Sequence, residues 1–579
     1  MTITARFSLG LLLAALAALP LDAATSAAPK ADEMRWVYLS HNFMFAKNVD
    51  TSIEMLTRAA KAGYNGVALT DCKFARWFET VTVRRPEYDQ NLKRLRQACR
   101  DLKMGCYVFA GDQGTDLLAN DPNLAEGMPV VDAPFVVRGG ALVPADSTAP
   151  TNLSFEESTR AHEPTGWNVD DPGTVCFLDD AVASAGKRSV RIEAGPGKNA
   201  HGNGRIFQVL KVEPFRYYHL SAMVKTDGFG HTNTFTFWVG KPGQQTLNHQ
   251  SWDIQETQDW KRFDVVFNTL DNTEVNVFIG SWGGQKGKLW IDDLRFEPGG
   301  FVNLLRRDGC PFSVVSTDGK TTYKEGADFA DAKDPKMGNT QWPGLYAYWY
   351  EQPVVKVPSG SRLKEGDRVK IGYSHAMICL GYGVSACMNE PKIWPLIERN
   401  LAEMHQVLEP DGYILCHDEI RQGGWDHSCA ASGRTPLQSL RDNVKTCVAL
   451  ITKEDPGKPI FAWNDMFDPY HNASKHDAYD YLVKGKDPFH GSWEALDPAI
   501  TILNWHGHPE KRAESLKFFA DRGHQQILCG FYDSTSDNMI PWMQEAKGLK
   551  GIVGAMYTTW GQDYRELEKF QQVVDAAKK

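Results

Sequence analysis

The chain has 579 residues, more than one ordinary domain holds, and its 42% hydrophobic and 23% charged residues provide for a sizeable core. A formal net charge of −9 with no Lys/Arg run excludes a basic surface for nucleic acid. The 17 tryptophans supply flat apolar rings that either fill a core or stack on the apolar face of a sugar.

Residues 1–27 carry a lone Arg6, an apolar run from Phe7 to Leu19 and small residues after it. That layout predicts a signal peptide and an exported protein, periplasmic or secreted, with no membrane span once it is cleaved. From Arg35 short apolar runs alternate with amphipathic stretches: WVYLSHN (36–42), YNGVALTD (64–71) and GCYVFAG (105–111), each followed or preceded by helical patterning. The rhythm then stops. It resumes with the helix 391–409 and the strands GYILCHDE (412–419), PIFAWND (459–465), AITILNWHG (499–507), HQQILCGFYD (524–533) and IVGAMYTTWG (552–561).

Three strands before the break and five after it predict a (β/α)8 TIM barrel over 35–115 and 373–579, interrupted after strand three. A doubly wound sheet is disfavoured because no Gly-rich phosphate loop is present. Residues 150–298 show short alternating strands with Gly, Asn and Asp turns, predicting an antiparallel jelly-roll sandwich. Residues 299–372 predict a small β extension that returns the chain to the barrel. Eleven cysteines, several inside apolar runs (Cys106, Cys379, Cys416, Cys529), predict mostly buried free thiols.

In such a barrel the chemistry sits at the C-terminal ends of the strands. Those ends carry His41 and Asn42; Asp71; Asp112; His417, Asp418 and Glu419; Trp463, Asn464 and Asp465, with Asp468 beyond; Asn504, Trp505 and His506; Tyr532 and Asp533; Tyr557 and Trp560. Any one Asp there is as often a helix cap, but so many acids and tryptophans at one mouth predict a carbohydrate-processing site. Adjacent Asp418 and Glu419 suit a general acid and a group that orients the substrate or tunes its neighbour. Cys416, His417, Asp418, His427 and Cys429 are metal-ligand types, with His41, His506 and His508 further candidates. Their spacing matches no zinc pattern, so no metal and no cofactor is expected.

The segments NLSFEE (152–157), FRYYHLSAMVKT (215–226) and GKLWIDDLRFEP (287–298) resemble carbohydrate-binding modules of families 4, 9 and 22. The resemblance makes Trp238, Trp252 and Trp282 candidate ligand aromatics, each equally a candidate for the core. The Asp-Glu pair ending strand four, with tryptophans around it, resembles the family 20 glycoside hydrolases, the β-N-acetylhexosaminidases. That resemblance implies Glu419 as acid/base and Asp418 as the residue orienting an acetamido group that itself attacks the anomeric carbon. It also implies Trp463, Trp505 and Trp560 as pocket walls, with Tyr532 or Asp533 holding the sugar; His417, Asp465 and Asp71 complete the expected substrate-binding set. The chain departs from the family: YLSHNF has no strand-one arginine, and Gly423 and Gly424 follow the Asp-Glu pair instead of preceding it. The expected function is therefore an exported glycoside hydrolase acting on an oligo- or polysaccharide. The alternatives are a two-carboxylate mechanism through Asp465 or Asp533, a sugar isomerase or lyase, and a non-catalytic glycan-binding protein.

Overall fold

The computed structural model describes residues 33–577 except 78–83, 146–147, 194–198, 231–234, 242–244, 284–285, 339–345, 380–382, 476–481 and 532. The expected signal peptide therefore lies outside the described residues, as does Tyr532.

Eight strands close into an all-parallel barrel: β1 (Met34–Ser40), β2 (Gly66–Thr70), β3 (Gly105–Ala110), β4 (Gly412–Leu415), β5 (Ile460–Trp463), β6 (Thr501–Asn504), β7 (Gln526–Leu528) and β8 (Ile552–Tyr557). Each is a short Val/Ile/Leu/aromatic run, as strands buried on both faces require. Alternation sorts the side chains: Trp36 and Tyr38 point inward, whereas Val37 and Leu39 face the helices. Trp36, Tyr38, Phe109, Ile414, Phe461, Trp463, Leu503 and Met556 fill the lumen. Trp36 stacks on Tyr107 with ring centroids 3.9 Å apart. The barrel closes where β1 pairs with β8, and there Gly554 lies so close to β1 that a Cβ would sit 1.9 Å from the Met34 carbonyl oxygen.

The expected regular (β/α)8 barrel interrupted by a sandwich is corrected on two counts. First, the helical layer is sparse and uneven. Among the described residues there are nine α-helices: α1 (Ala46–Lys61), α2 (Arg85–Asp101), α3 (Thr115–Leu118), α4 (Ile393–Leu408), α5 (His427–Ser432), α6 (Pro436–Glu454), α7 (Arg512–Asp521), α8 (Met539–Glu545) and α9 (Leu567–Ala577). Two of these have only four and six residues, and between β5 and β6 the described residues form no α-helix, only 3-10 turns at Asp465–Phe467 and Ser492–Ala495 and the short strand Leu482–Val483. The reason is compositional: from Asn464 to Pro498 the chain is dense in Asp, His, Gly and Pro and has no 3.6-residue apolar period.

Second, the interruption contains three main antiparallel sheets in place of a sandwich over 150–298 followed by a small β extension over 299–372. The third sheet also takes the strands 128–138 and 141–144 from ahead of the expected sandwich. Two five-stranded sheets are ordered 258–268, 217–227, 288–298, 189–193, 176–179 and 245–252, 235–241, 274–281, 204–211, 168–169. A third, six-stranded sheet joins 128–138, 141–144, 313–316, 322–323, 355–356 and 368–375. One continuous apolar cluster underlies all three, including Val137, Val190, Leu220, Phe237, Val277, Val314 and Ile371. All eleven cysteines are free, and nine of them are buried.

Candidate active site

β4 ends at Leu415, so the next four residues already leave the sheet. Cys416 and Asp418 face the mouth, and His417 turns back toward α6. His417 is 2% exposed and its Nε2 meets Asn443 Oδ1 at 2.9 Å, while Nδ1 has no partner among the described residues. Burial lowers the proton affinity of this imidazole to a pKa of about 4, so it is neutral at physiological pH. Glu419 adopts a left-handed backbone (φ 47°), which ends the strand's alternation and lets both carboxylates serve the mouth. Its Oε1 accepts a 2.8 Å hydrogen bond from the Arg421 guanidinium.

Asp418 is solvent-exposed, but it sits in the bowl of the barrel with Tyr38, Asp112, Glu419 and Asp465 around it. Crowding by protein raises its proton affinity, and the charges of Asp465, Glu419 and Asp112 add to the effect. Because water reaches Asp418, the crowding acts less on it than on Asp465, which is 0% exposed. Asp465 Oδ2 accepts from the Glu419 amide at 2.8 Å and from Asn472 Nδ2 at 2.9 Å, whereas Oδ1 meets no donor among the described residues. Burial is the main cause of its raised proton affinity, and the Glu419 charge adds to it.

Two cavities open beside this group and share Asp112 and Cys416. One, of about 180 Å³, is lined by Asp112, His417, Asp418 and Glu419 among others. The second, of about 190 Å³, runs past Tyr38, Asp71, Asp112 and Asp116. Asp112, read at the end of strand three but not assigned a role, and Asp116, not foreseen, are both raised in proton affinity by burial; the Asp112 charge raises Asp116 further and Arg76, 3.8 Å away, opposes it. Asp116 lies in α3, beyond the strand end, and that is why reading strand ends alone misses it.

The remaining expected residues divide by role. Asp71 is fully engaged: Lys73 Nζ at 2.6 Å, the Phe43 amide at 2.9 Å, the Lys73 amide at 3.1 Å and the Tyr88 hydroxyl at 3.2 Å all reach its carboxylate. Trp463 is 3% exposed and belongs to the lumen, stacked near Phe109. Trp505 is half-buried, its amide bound to Asn464 Oδ1 and its ring edge-on to His471. Trp560 is 57% exposed at the rim, with Tyr38 edge-on at 4.9 Å and Trp463 at 6.2 Å. Asp533 holds that rim: its carboxylate accepts from the Trp560 amide at 2.6 Å, the Gly561 amide at 2.8 Å and the Thr559 hydroxyl. His506 is saturated, with Nε2 donating to the Tyr470 carbonyl and Nδ1 accepting from the His508 amide.

In the inserted sheets, Trp252 is packed between Phe263 and Tyr348. Trp238 instead lies in a half-buried cross-strand row, Phe207–Phe278–Trp238–His249, on the outer face of one sheet. Arg205 lies over both Phe278 and Trp282 beside that row.

No protein-family model and no curated protein sequence matches the chain. Among solved structures it is similar to a CBM4 module (17% identical over 26% of this chain and 99% of that one, TM-score 0.20). It is similar to the CBM22-1 xylan-binding domain of a Paenibacillus barcinonensis protein (17%, 25% and 91%, 0.20). It is also similar to a rhamnosidase from Novosphingobium sp. PP1Y (10% identical, TM-score 0.33), covering 94% of this chain and 58% of that one. At these TM-scores the likenesses assign neither fold nor activity to the chain.

Proposed function

We propose that the chain is a glycoside hydrolase acting on an oligo- or polysaccharide, with the leader-like residues 1–27 directing its export. The observation that carries this reading is the solvent-reached Asp418 in a bowl of acids at the barrel mouth. Glycosidic hydrolysis needs a group that still holds a proton at working pH to protonate the leaving oxygen, beside a carboxylate that supports the positive charge developing at the anomeric carbon. Asp418, made reluctant to ionise by crowding and by Asp465, fits the first role. Glu419, held by Arg421, fits the second. Trp560, exposed at the rim and fixed through Asp533, supplies a flat face for a sugar ring.

A second reading reverses the pair. In the arrangement that the family 20 resemblance implies, Glu419 gives the proton and Asp418 orients the acetamido group of an N-acetylhexosamine. The backbone break at Glu419 favours it, because it turns the side chain toward the same cavity as Asp418. The row Phe207–Phe278–Trp238–His249 is the part of the inserted sheets best suited to hold a glycan chain.

The test is hydrolysis of a panel of chromogenic glycosides, with and without acetamido groups, by wild type, Asp418→Asn and Glu419→Gln. Activity on plain sugars, lost in both variants, supports the first reading. Activity confined to N-acetyl sugars supports the second. Wild-type turnover that neither variant reduces overturns both.

A further inference from the structure

Away from the mouth, four buried side chains converge where the chain leaves the barrel and where it returns: Glu126, Cys387, Asp426 and Cys429, with one ligand atom from each within 4.8 Å of the others. Glu126 lies just ahead of the first inserted strand. Cys387 lies on the returning passage, which pairs with the outgoing one at Ala125 and Ala386. Asp426 and Cys429 belong to the loop and first turn of α5, downstream of Asp418 and Glu419.

We infer that these four residues form a binding site for a thiophilic divalent cation, zinc by preference, that staples the two passages of the insertion to the loop carrying the Asp418–Glu419 pair.

The distances fit a tetrahedral ion. Two thiolates each about 2.3 Å from zinc stand about 3.8 Å apart, and a thiolate and a carboxylate oxygen about 3.5 Å apart. Here Cys387 Sγ and Cys429 Sγ are 3.6 Å apart, and Cys429 Sγ is 3.5 Å from Glu126 Oε2. Among the described residues Glu126 Oε2 meets no N–H donor; its contact is the thiol, while Oε1 accepts from the Trp425 amide at 2.7 Å. Asp426 supplies the fourth group. Its orientation is already fixed by the Cys429 amide at 2.9 Å and by Arg307 at 2.5 Å.

The surroundings are those of a site that holds negative charge. Asn389 Nδ2 points at Cys429 Sγ from 3.2 Å, and the Gly127 amide points at Asp426. The Arg307 guanidinium sits between Asp426 and Glu390, with side-chain exposures of 2% for Arg307 and 0% for Asp426. Outer contacts of this kind orient ligands and offset the charge of a thiolate-rich set. Thiol sulfur with carboxylate oxygen suits zinc better than magnesium or calcium, and binding releases the two thiol protons. No sequence motif announces the site, because its ligands come from three distant segments.

The test is metal content of the purified full chain by plasma mass spectrometry, followed by cobalt substitution. About one equivalent of zinc that survives dialysis is expected, with a thiolate-to-cobalt charge-transfer band in the substituted protein. Cys387→Ser, Cys429→Ser and Glu126→Gln should each lose most of the metal, and Cys72→Ser, at an exposed thiol, should keep it. Wild-type protein free of metal that also fails to take up zinc or cobalt overturns the proposal, whether or not the variants fold. A Cys387–Cys429 disulfide found by peptide mapping of the untreated wild type also overturns it.

Discussion

The backbone amide of Glu419 donates a 2.8 Å hydrogen bond to Asp465 Oδ2, tying the loop after β4 to the loop after β5. Asp465 therefore acts on the mouth without touching it: it fixes the left-handed turn at Glu419 and sets a buried carboxyl against the exposed Asp418. Asp465→Asn can keep both hydrogen bonds through its amide oxygen while removing the charge. It is expected to lower the proton affinity of Asp418 and move the alkaline limb of the pH–rate profile to lower pH. An unchanged limb would show that Asp465 does not tune the acid.

The same group gives a sign for stability. Burial pushes Asp465 up to about 7, from an ordinary carboxylate value near 4. The folded state then binds more protons than the unfolded one between those values, so this group makes the protein less stable as pH rises through that window. Asp465→Asn should melt above wild type at pH 8, and the gap should shrink toward pH 4–5. Differential scanning fluorimetry across pH reads this directly.

Asp418→Asn is expected to reduce kcat by about 10²–10⁴-fold, the range that a positioned proton donor contributes. Its melting temperature at pH 8 should not fall, because the substitution removes one carboxyl from a repelling set. A large loss of both activity and stability would instead make Asp418 a structural residue.

Trp560→Ala removes an exposed ring and little core, so its melting temperature should stay close to wild type. If the ring stacks on substrate, KM rises by about tenfold, equivalent to about 1.4 kcal/mol, with a smaller effect on kcat. Initial-rate kinetics on a soluble oligosaccharide separate the two parameters.

Trp238→Ala should weaken retention on an insoluble polysaccharide in a pull-down and leave turnover of a small chromogenic glycoside unchanged. Equal loss of both would place the row's effect on folding instead of glycan binding.

Arg307→Met leaves Asp426 and Glu390 buried without their counter-charge. Loss of one partner of such a pair costs about 3–5 kcal/mol, and chemical denaturation should show a destabilisation of that size.

Much of the barrel was legible because its cues are local. The apolar runs at 36–39, 66–69 and 412–415 carry strand-forming residues, and α6 declares its start through Thr435, Pro436 and Gln438, which form a capping box in the structure. Reading strand ends also picks out Trp560 and the Asp418–Glu419 pair as candidates, and the structure sets Trp560 at the exposed rim and the pair beside one cavity. Asp71 shows the limit of that method. Its position predicts a site residue, yet four donors from Phe43, Lys73 and Tyr88 claim its carboxylate, two of them from Lys73 in the turn that Asp71 caps and two from Phe43 and Tyr88 in other segments.

The sequence by itself determined where strands and most helices form and which acids lie at the ends of the strands. Hydrophobic periodicity, turn residues and caps act over a few positions, so they survive without the fold. The tertiary structure decided which acids share a cavity, that Trp463 fills the lumen while Trp560 faces solvent, and that Glu126 meets Cys387 and Cys429. These outcomes depend on contacts between segments far apart in the chain, and on burial, which sets both the proton affinity of a carboxyl and the surface a tryptophan presents.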